Sequence, residues 1–300
     1  MDQDDQTDMA AGMRARPLVA GLYLVSTPIG AARDITLRAL DVLAGADVLA
    51  AEDTRTLRHL MDIHGIKLGG RPLVAYHDHN GAEARPRILR ALAEGKSVAY
   101  ASEAGTPMVA DPGYQLARAV IEAGLPVTAA PGPSAAIMAL SLSGLPSDRF
   151  LFAGFPPSQA GARARWLDEI GTVPATIILY ESPKRIYRLL GELCERWGDG
   201  RDAALCRELT KRFEEVRRGT LGALRDGLVD VALKGEIALV VGRPLAVAAD
   251  AADVDAALRA ALGRLHVKQA AAEVAEALGL PRRDVYQRAL ALKDGDGDGR

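Results

Sequence analysis

The residues best suited to chemistry cluster where apolar runs give way to charged or Gly/Pro-rich turns. The run ADVLAA (46–51) ends in Glu52, Asp53, Thr54 and Arg55, packed at one strand-to-helix turn. In α/β proteins the carboxyl ends of parallel strands are where ligands sit. Asp53 or Thr54 as a plain helix N-cap explains part of this cluster, but not why Glu52 and Arg55 are there too. A second exit, STPIGAARDIT (26–36), carries Arg33 and Asp34, whose carboxylate either caps the next helix or faces a cleft. A third, AYHDHNG (75–81), carries His77 and His79. Alternate strand residues share a face, which would suit two metal ligands, yet no third ligand is evident. A polar substrate contact is the better reading, and no metal site is expected.

Two further turns suit a small ligand. In SEAGTPMVADPG (102–113), Ala104 and Gly105 let backbone approach a bound molecule, Thr106 offers a hydroxyl and Pro107 stiffens the loop. The turn is neither G-x-G-x-x-G nor G-x-x-x-x-G-K-S/T, and no lysine is present to neutralise phosphates. A ligand with a carboxylate, an amine and an adenosine fits it better than a triphosphate. The rigid APGPSAA (130–136) supplies a second wall, with Ser134 at a helix start whose free N–H groups suit a carboxylate or hydroxyl.

These turns need a scaffold, and the hydrophobic pattern supplies one. Strand-like runs at 22–27, 46–53, 72–77, 97–102 and 126–132 alternate with amphipathic helical stretches. Gly45, Gly65, Gly95 and Gly124 fall where left-handed caps would close those helices. Such alternation predicts a largely parallel sheet covered on both faces. A second set of strands is expected at 149–155, 175–182, 203–209 and 236–242, with helices at 160–170, 183–197 and 219–233. The Gly/Pro-rich joint SGLPSDR divides them, giving α/β domains at 20–146 and 147–245 with a ligand cleft between. Residues 252–293 turn Ala-rich and helical, and within them 267–292 has helix-turn-helix spacing with Arg282, Arg283 and Arg288 on or near the second helix. A helical hairpin packed on the body is the competing reading. Residues 1–19 and 294–300 read as a disordered leader and tail.

The bulk numbers narrow the class. The chain has 300 residues, 49% of them apolar, and a net charge of −2, so no global basic field draws it to nucleic acid. An RNA surface must be a local patch, and nothing points to DNA. Lys184, Arg185 and Arg207 are candidates for phosphate contacts, although the mixed charges of 206–220 read first as a solvated helix face. Cys194 and Cys206 have neither disulfide nor zinc spacing. The N-terminus lacks the basic start and apolar core of a signal peptide, and no apolar run is long enough for a membrane helix. A cytoplasmic protein is expected.

Six motifs in order, TPIG…RDITLRAL…AEDTR, YHDHN, S-x-AGTP-x-x-x-DPG, PGPSA, YESPKR and CRELTKRFEE, resemble the bacterial 16S ribosomal RNA cytidine 2′-O-ribose methyltransferases over roughly residues 20–292. That family has the tetrapyrrole-methylase fold. The resemblance implies two α/β domains holding S-adenosylmethionine in their cleft, usually as a homodimer acting on the small ribosomal subunit. It implies cofactor contacts from Thr27, Pro28 and Gly30, and from Ser102, Glu103, Ala104, Gly105, Thr106, Pro107 and Val109. Pro131, Gly132, Ser134 and Ala135 would follow, with Tyr180 and Ala238 on the far side. Asp34, Glu52, Asp53, Arg55 and His77 would line the acceptor side, with Asp34 or Asp53 as proton acceptor. Arg33, Lys184, Arg185, Arg207, Arg282 and Arg283 would meet RNA. Two positions depart from the pattern: Glu103 replaces its Asp and Ala31 its Asn. The alternatives are a corrin or sirohaem precursor methylase on the same fold, or a non-catalytic RNA-binding assembly factor.

Overall fold

The computed structural model describes residues 17–109, 113–244, 251–278 and 280–295. Most of the leader and tail read from the sequence lies outside them.

The first half alternates strictly. β1 (Gly21–Val25), α1 (Leu37–Gly45), β2 (Val48–Ala51), α2 (Thr54–Ile63) and β3 (Leu73–Ala75) come first. They are followed by α3 (Gly81–Ala93), β4 (Ser97–Ala101), α4 (Gly113–Glu122) and β5 (Val127–Ala130). All pairings in the order β3-β2-β4-β1-β5 are parallel. Val25, Leu49, Ala51 and Ala99 pack with Leu43 of α1 and Met61 of α2, whereas Leu22, Ala50, Val98 and Tyr100 pack with Ile88 of α3 and Leu116 of α4. A sheet buried on both faces explains why its strands read as nearly unbroken apolar runs. Parallel direction also puts every strand-to-helix turn singled out above on one edge. Gly65, Gly95 and Gly124 have positive φ where their helices close, but Gly45 does not: α1 ends through the Ala46 N–H, bonded to the Val42 carbonyl.

The second half contains α5 (Ala135–Ser143), β6 (Phe150–Gly154), α6 (Ala160–Gly171), β7 (Thr176–Glu181) and α7 (Ile186–Trp197). It continues with β8 (Asp202–Arg207), β9 (Glu215–Thr220), α8 (Leu221–Asp226) and β10 (Ile237–Val241). The order is β6-β7-β10-β8-β9, with only β6–β7 parallel, so this sheet is mixed rather than parallel. Residues 206–220 are not a helix face but the end of β8, a loop and the edge strand β9. Arg207 Nε donates across the hairpin to Glu215 Oε2 at 2.9 Å, and Arg217, on the same strand as Glu215, donates from Nε to its Oε1 at 2.6 Å. Charged residues suit an edge strand because they discourage pairing with another chain. The helix expected over 219–233 stops at Asp226, with Gly227 as its C-cap.

The expected domain boundary near 146 cuts across packing. α5, on its N-terminal side, buries Ala136, Ala139 and Leu140 against Ile178, Ala204, Ala238 and Val240 of the second sheet. Contacts group the described residues up to Arg243 into one compact unit and those from Pro244 onward into another.

The second unit is α9 (Ala251–Leu262), α10 (Val267–Leu278) and α11 (Arg282–Gly295). Leu258, Ala270, Ala271, Val274, Val285 and Ala289 form its core, the small alanines letting helices approach closely. Helix α9 thus gives the hairpin read from the sequence a third partner, and Arg288 ties α11 to it by donating from Nε to Asp255 Oδ1 at 2.6 Å. No helix among the described residues is long and apolar enough to cross a membrane.

Candidate active site

Three turns at the carboxyl edge of the first sheet are bonded to one another. The Thr27 N–H donates to the Gly105 carbonyl and the Gly105 N–H to the Thr27 carbonyl, both at 3.0 Å. The Thr27 hydroxyl donates to the Ser102 carbonyl at 3.1 Å, and Ser102 Oγ donates to the Gly105 carbonyl. Thr106 Oγ1 donates to the Pro133 carbonyl at 2.8 Å. Gly132 is fixed by contact: a Cβ there would sit 2.7 Å from Ser26 Cβ. Gly105 has φ +81°, where a side chain is strained.

This frame forms one wall of a cavity of about 490 Å³. Glu103, Ala104, Gly105, Thr106 and Val109 line it from the central turn, and Ser134 and Ala135 from the start of α5. Tyr180 and Ala238, on neighbouring strands β7 and β10, line it from the second sheet. Thr27, Pro28, Gly30, Ser102, Pro107, Pro131 and Gly132 are not among the lining residues. The bonds above make Thr27 and Ser102, both buried, supports of the wall.

Among the described residues the lining carries four carboxylates, Glu52, Glu103, Glu181 and Glu236, the last two paired with Arg185 and Lys211 from outside it, and no lysine or arginine. A wall of acceptor oxygens with no cationic side chain on it suits a donor of hydroxyl and amine hydrogens better than a polyphosphate. The Ser134 hydroxyl makes no capping bond, and the Ala136 N–H donates to the Tyr180 phenol, which ties the start of α5 to the opposite wall of the cavity. Burial pushes the Tyr180 phenol above its ordinary range and the Cys206 thiol up to about 11.

A clasp from the second half closes over the first. The Ala31 N–H donates to Thr210 Oγ1 at 3.0 Å, and a Cβ on Gly30 would lie 2.5 Å from that same oxygen. Glu208 Oε1 accepts from the Glu236 N–H at 2.9 Å and from Lys211 Nζ at 3.0 Å. Lys211 Nζ also reaches Glu236 Oε2 at 2.8 Å. Ile29, Leu209, Gly235 and Glu236, held by these bonds, line the cavity.

Of the residues expected on the acceptor side, Glu52 alone is among the lining. Asp53 is the N-cap of α2, accepting from the Arg55 N–H at 2.7 Å and pairing with Arg55 Nη2 at 2.9 Å. Hydrogen bonds from the Arg55 side chain and backbone hold its carboxyl down at about 2, a poor proton acceptor near neutrality. Asp34 is exposed and does not cap α1; Thr36 does, accepting from the Ala39 N–H at 3.2 Å. The His77 backbone N–H donates to Asn80 Oδ1 at 2.8 Å, and its ring meets that of His79 edge-on. No metal-binding cluster occurs among the described residues.

The expected RNA contacts divide similarly. Arg33, Lys184, Arg282 and Arg283 are exposed. Arg185 Nε instead donates to buried Glu181 at 2.7 Å, and Arg207 is held by Glu215 and by the Lys234 carbonyl. The sequence reading missed Phe155, Glu181, Ser182, Pro183, Cys206, Leu209, Gly235 and Glu236 as lining residues. Most flank strand ends in the second half, a position that signals ligand contact only once strand order is known.

The two-sheet architecture, with its cavity over the strand ends of the first sheet, is that of a known methylase class. The tetrapyrrole (corrin/porphyrin) methylase family matches residues 21–225, and the chain belongs to it. Residues 248–293 match the RsmI C-terminal HTH domain. Its relatives are more particular. The chain is 50% identical over 288 residues to the ribosomal RNA small subunit methyltransferase I of Mesorhizobium japonicum, covering 95% of this chain and 97% of that one. It is 47% identical over 279 residues to the enzyme of the same name from Erythrobacter litoralis, covering 93% and 98%. Among solved structures, uroporphyrin-III-C-methyltransferase from Thermus thermophilus superposes with a TM-score of 0.52 at 26% identity, covering 74% of this chain and 94% of that one.

Proposed function

We propose that the protein transfers a methyl group from S-adenosylmethionine to ribosomal RNA of the small subunit, at the 2′-hydroxyl of a decoding-region cytidine. The observation that carries the reading is the carboxylate-lined cavity over the strand ends, in a chain so similar to rRNA methyltransferases along its length. S-adenosylmethionine fits what the cavity offers. The start of α5 at Ser134 and Ala135 would hold its carboxylate, while Glu103 suits its amine. Tyr180 and Ala238 would flank its adenosine.

When bound, the cofactor supplies an electrophilic methyl group on a sulfonium that departs as a neutral thioether. The protein then has mainly to align the ribose hydroxyl with that carbon and exclude water. The turn bonded through Thr27, Ser102 and Gly105 makes the wall rigid enough to do so. Glu52, the lining carboxylate from the acceptor-side group, is best placed to take the hydroxyl proton. Exposed Arg33, Lys184, Arg282 and Arg283 would meet RNA phosphates, making affinity strongly salt-dependent. We further read the enzyme as a cytoplasmic homodimer; exposed Tyr187 and Phe213 are the kind of apolar surface a partner copy would cover.

The test is tritiated methyl transfer from S-adenosylmethionine to small subunits of a strain lacking the gene, with the modified nucleoside identified. A 2′-O-methylated cytidine is the expected product. Cofactor binding without transfer to subunit or rRNA would overturn the reading in favour of another acceptor, a tetrapyrrole first.

A further inference from the structure

Phe155 stands out at this cavity. The chain has only four phenylalanines, and two of them, Phe152 and Phe155, pack beside Tyr180. Phe152 lies 4.9 Å from the Tyr180 ring, centre to centre, and is partly buried in the second sheet's core. Phe155 lies 5.5 Å from the same ring at an interplanar angle of 64°, yet remains 55% exposed while lining the cavity. Tyr180 thus braces Phe155 at a steep angle without stacking on its face.

The backbone is built to put the ring there. The pairing of β6 with β7 shifts register between Phe152 and Gly154, and Gly154 takes φ +72°. A bulge of this kind breaks strand alternation and re-aims the side chains that follow, a device common beside active sites. A regular strand would not need it, and the exposed ring gains nothing from the core.

We infer that Phe155 is a platform on which the base of the acceptor nucleotide stacks while its ribose reaches the cavity. The inference rests on the rRNA methylation proposed above. Stacking on an exposed aromatic face is how proteins hold unstacked bases of single-stranded RNA. The surroundings fit a nucleotide: Pro183 lines the same cavity, and the next residue, Lys184, is exposed and able to meet a phosphate. The cofactor's adenine is the competing occupant, but a ring more than half exposed at the cavity suits an incoming macromolecule better than a buried ligand.

The experiment compares wild type with Phe155→Leu and Phe155→Tyr in methyl transfer to small subunits, alongside calorimetric binding of S-adenosylhomocysteine. Leucine keeps apolar bulk without a π face; tyrosine keeps the face. Phe155→Leu should raise KM for the subunit about tenfold, as expected for one lost base stack, with product binding and thermal midpoint unchanged. Phe155→Tyr should restore KM. Weakened S-adenosylhomocysteine binding in Phe155→Leu would assign the ring to adenine and overturn the inference. So would wild-type constants for both substrates, with the methylation reading intact. No transfer by wild type would overturn the functional reading and this inference together.

Discussion

The Ala31 N–H donates to the Thr210 hydroxyl at 3.0 Å, joining the first turn of one sheet to the loop after β8 of the other. The link runs through the main chain of residue 31, so the missing side-chain amide at Ala31 does not break it. Thr210 itself sits at φ +61°, a conformation disfavoured for a β-branched residue. Gly30 alongside has no room for a Cβ. Strain and close approach are concentrated where the two halves meet over the cavity.

Thr210→Val keeps shape and branching but leaves the Ala31 N–H without its acceptor. It should lower stability by about 1–3 kcal/mol and weaken S-adenosylhomocysteine binding, because Ile29 and Leu209 flank the lost bond. Thr210→Ser should behave like wild type. Thermal unfolding and calorimetry on the three proteins check this; a Val variant with unchanged binding would show that the clasp does not shape the cavity.

Glycines at the cavity wall should behave oppositely to glycines in open helix. Gly132→Ala drives a Cβ to within 2.7 Å of Ser26 Cβ and should cost about 1–3 kcal/mol by overpacking. Gly191→Ala, inside α7 with nothing within 4 Å of the new carbon, should stabilise by about 0.5–1 kcal/mol. Denaturant midpoints with unchanged slopes are the measurement.

Kinetics should separate the carboxylates. Glu52→Gln should reduce kcat about 10²-fold, the lower end for a positioned proton acceptor, with S-adenosylhomocysteine affinity kept. Asp34→Ala should leave kcat near wild type, since that carboxylate is exposed and outside the cavity lining. Loss of activity in Asp34→Ala with wild-type rates for Glu52→Gln would reverse the assignment.

Acid should loosen α2 through Asp53. Its carboxyl is held at about 2 in the folded chain against an ordinary value of 3.8. A lowered folded pKa stabilises above the unfolded value, and the contribution disappears as pH falls from about 4 through about 2. Asp53→Asn should flatten the acid limb of stability over that window. Unfolding midpoints between pH 2 and 6 decide it, an unchanged limb counting against the pairing with Arg55.

Much of the first half was written in its sequence. Near-continuous apolar runs separated by amphipathic stretches admit little besides a parallel sheet covered on both faces, and parallel strands deliver their outgoing turns to one edge. Hence Ala104, Gly105 and Thr106 could be placed on a cavity wall from local chemistry alone, whereas Glu103 beside them was reached through the family resemblance. The second half was less legible because its pairing is non-local. β8 and β9 are linked by a charged loop whose mixed signs read equally well as a helix face, and only the cross-strand pairing of Arg207 with Glu215 decides between them. Strand order placed Tyr180 opposite Ala238, and a bulge brought Phe155 to the cavity. Packing on the second sheet took α5 across the boundary that the Gly/Pro joint suggested. Asp53 and Asp34 show the same limit at single residues: sequence gives a carboxylate its chemistry, but burial and bonded partners determine whether it can use it. Periodicity and turn chemistry are local and survive in the sequence; strand order, the inter-sheet clasp and the partner of each charge depend on contacts between distant segments, and only the folded chain fixes those.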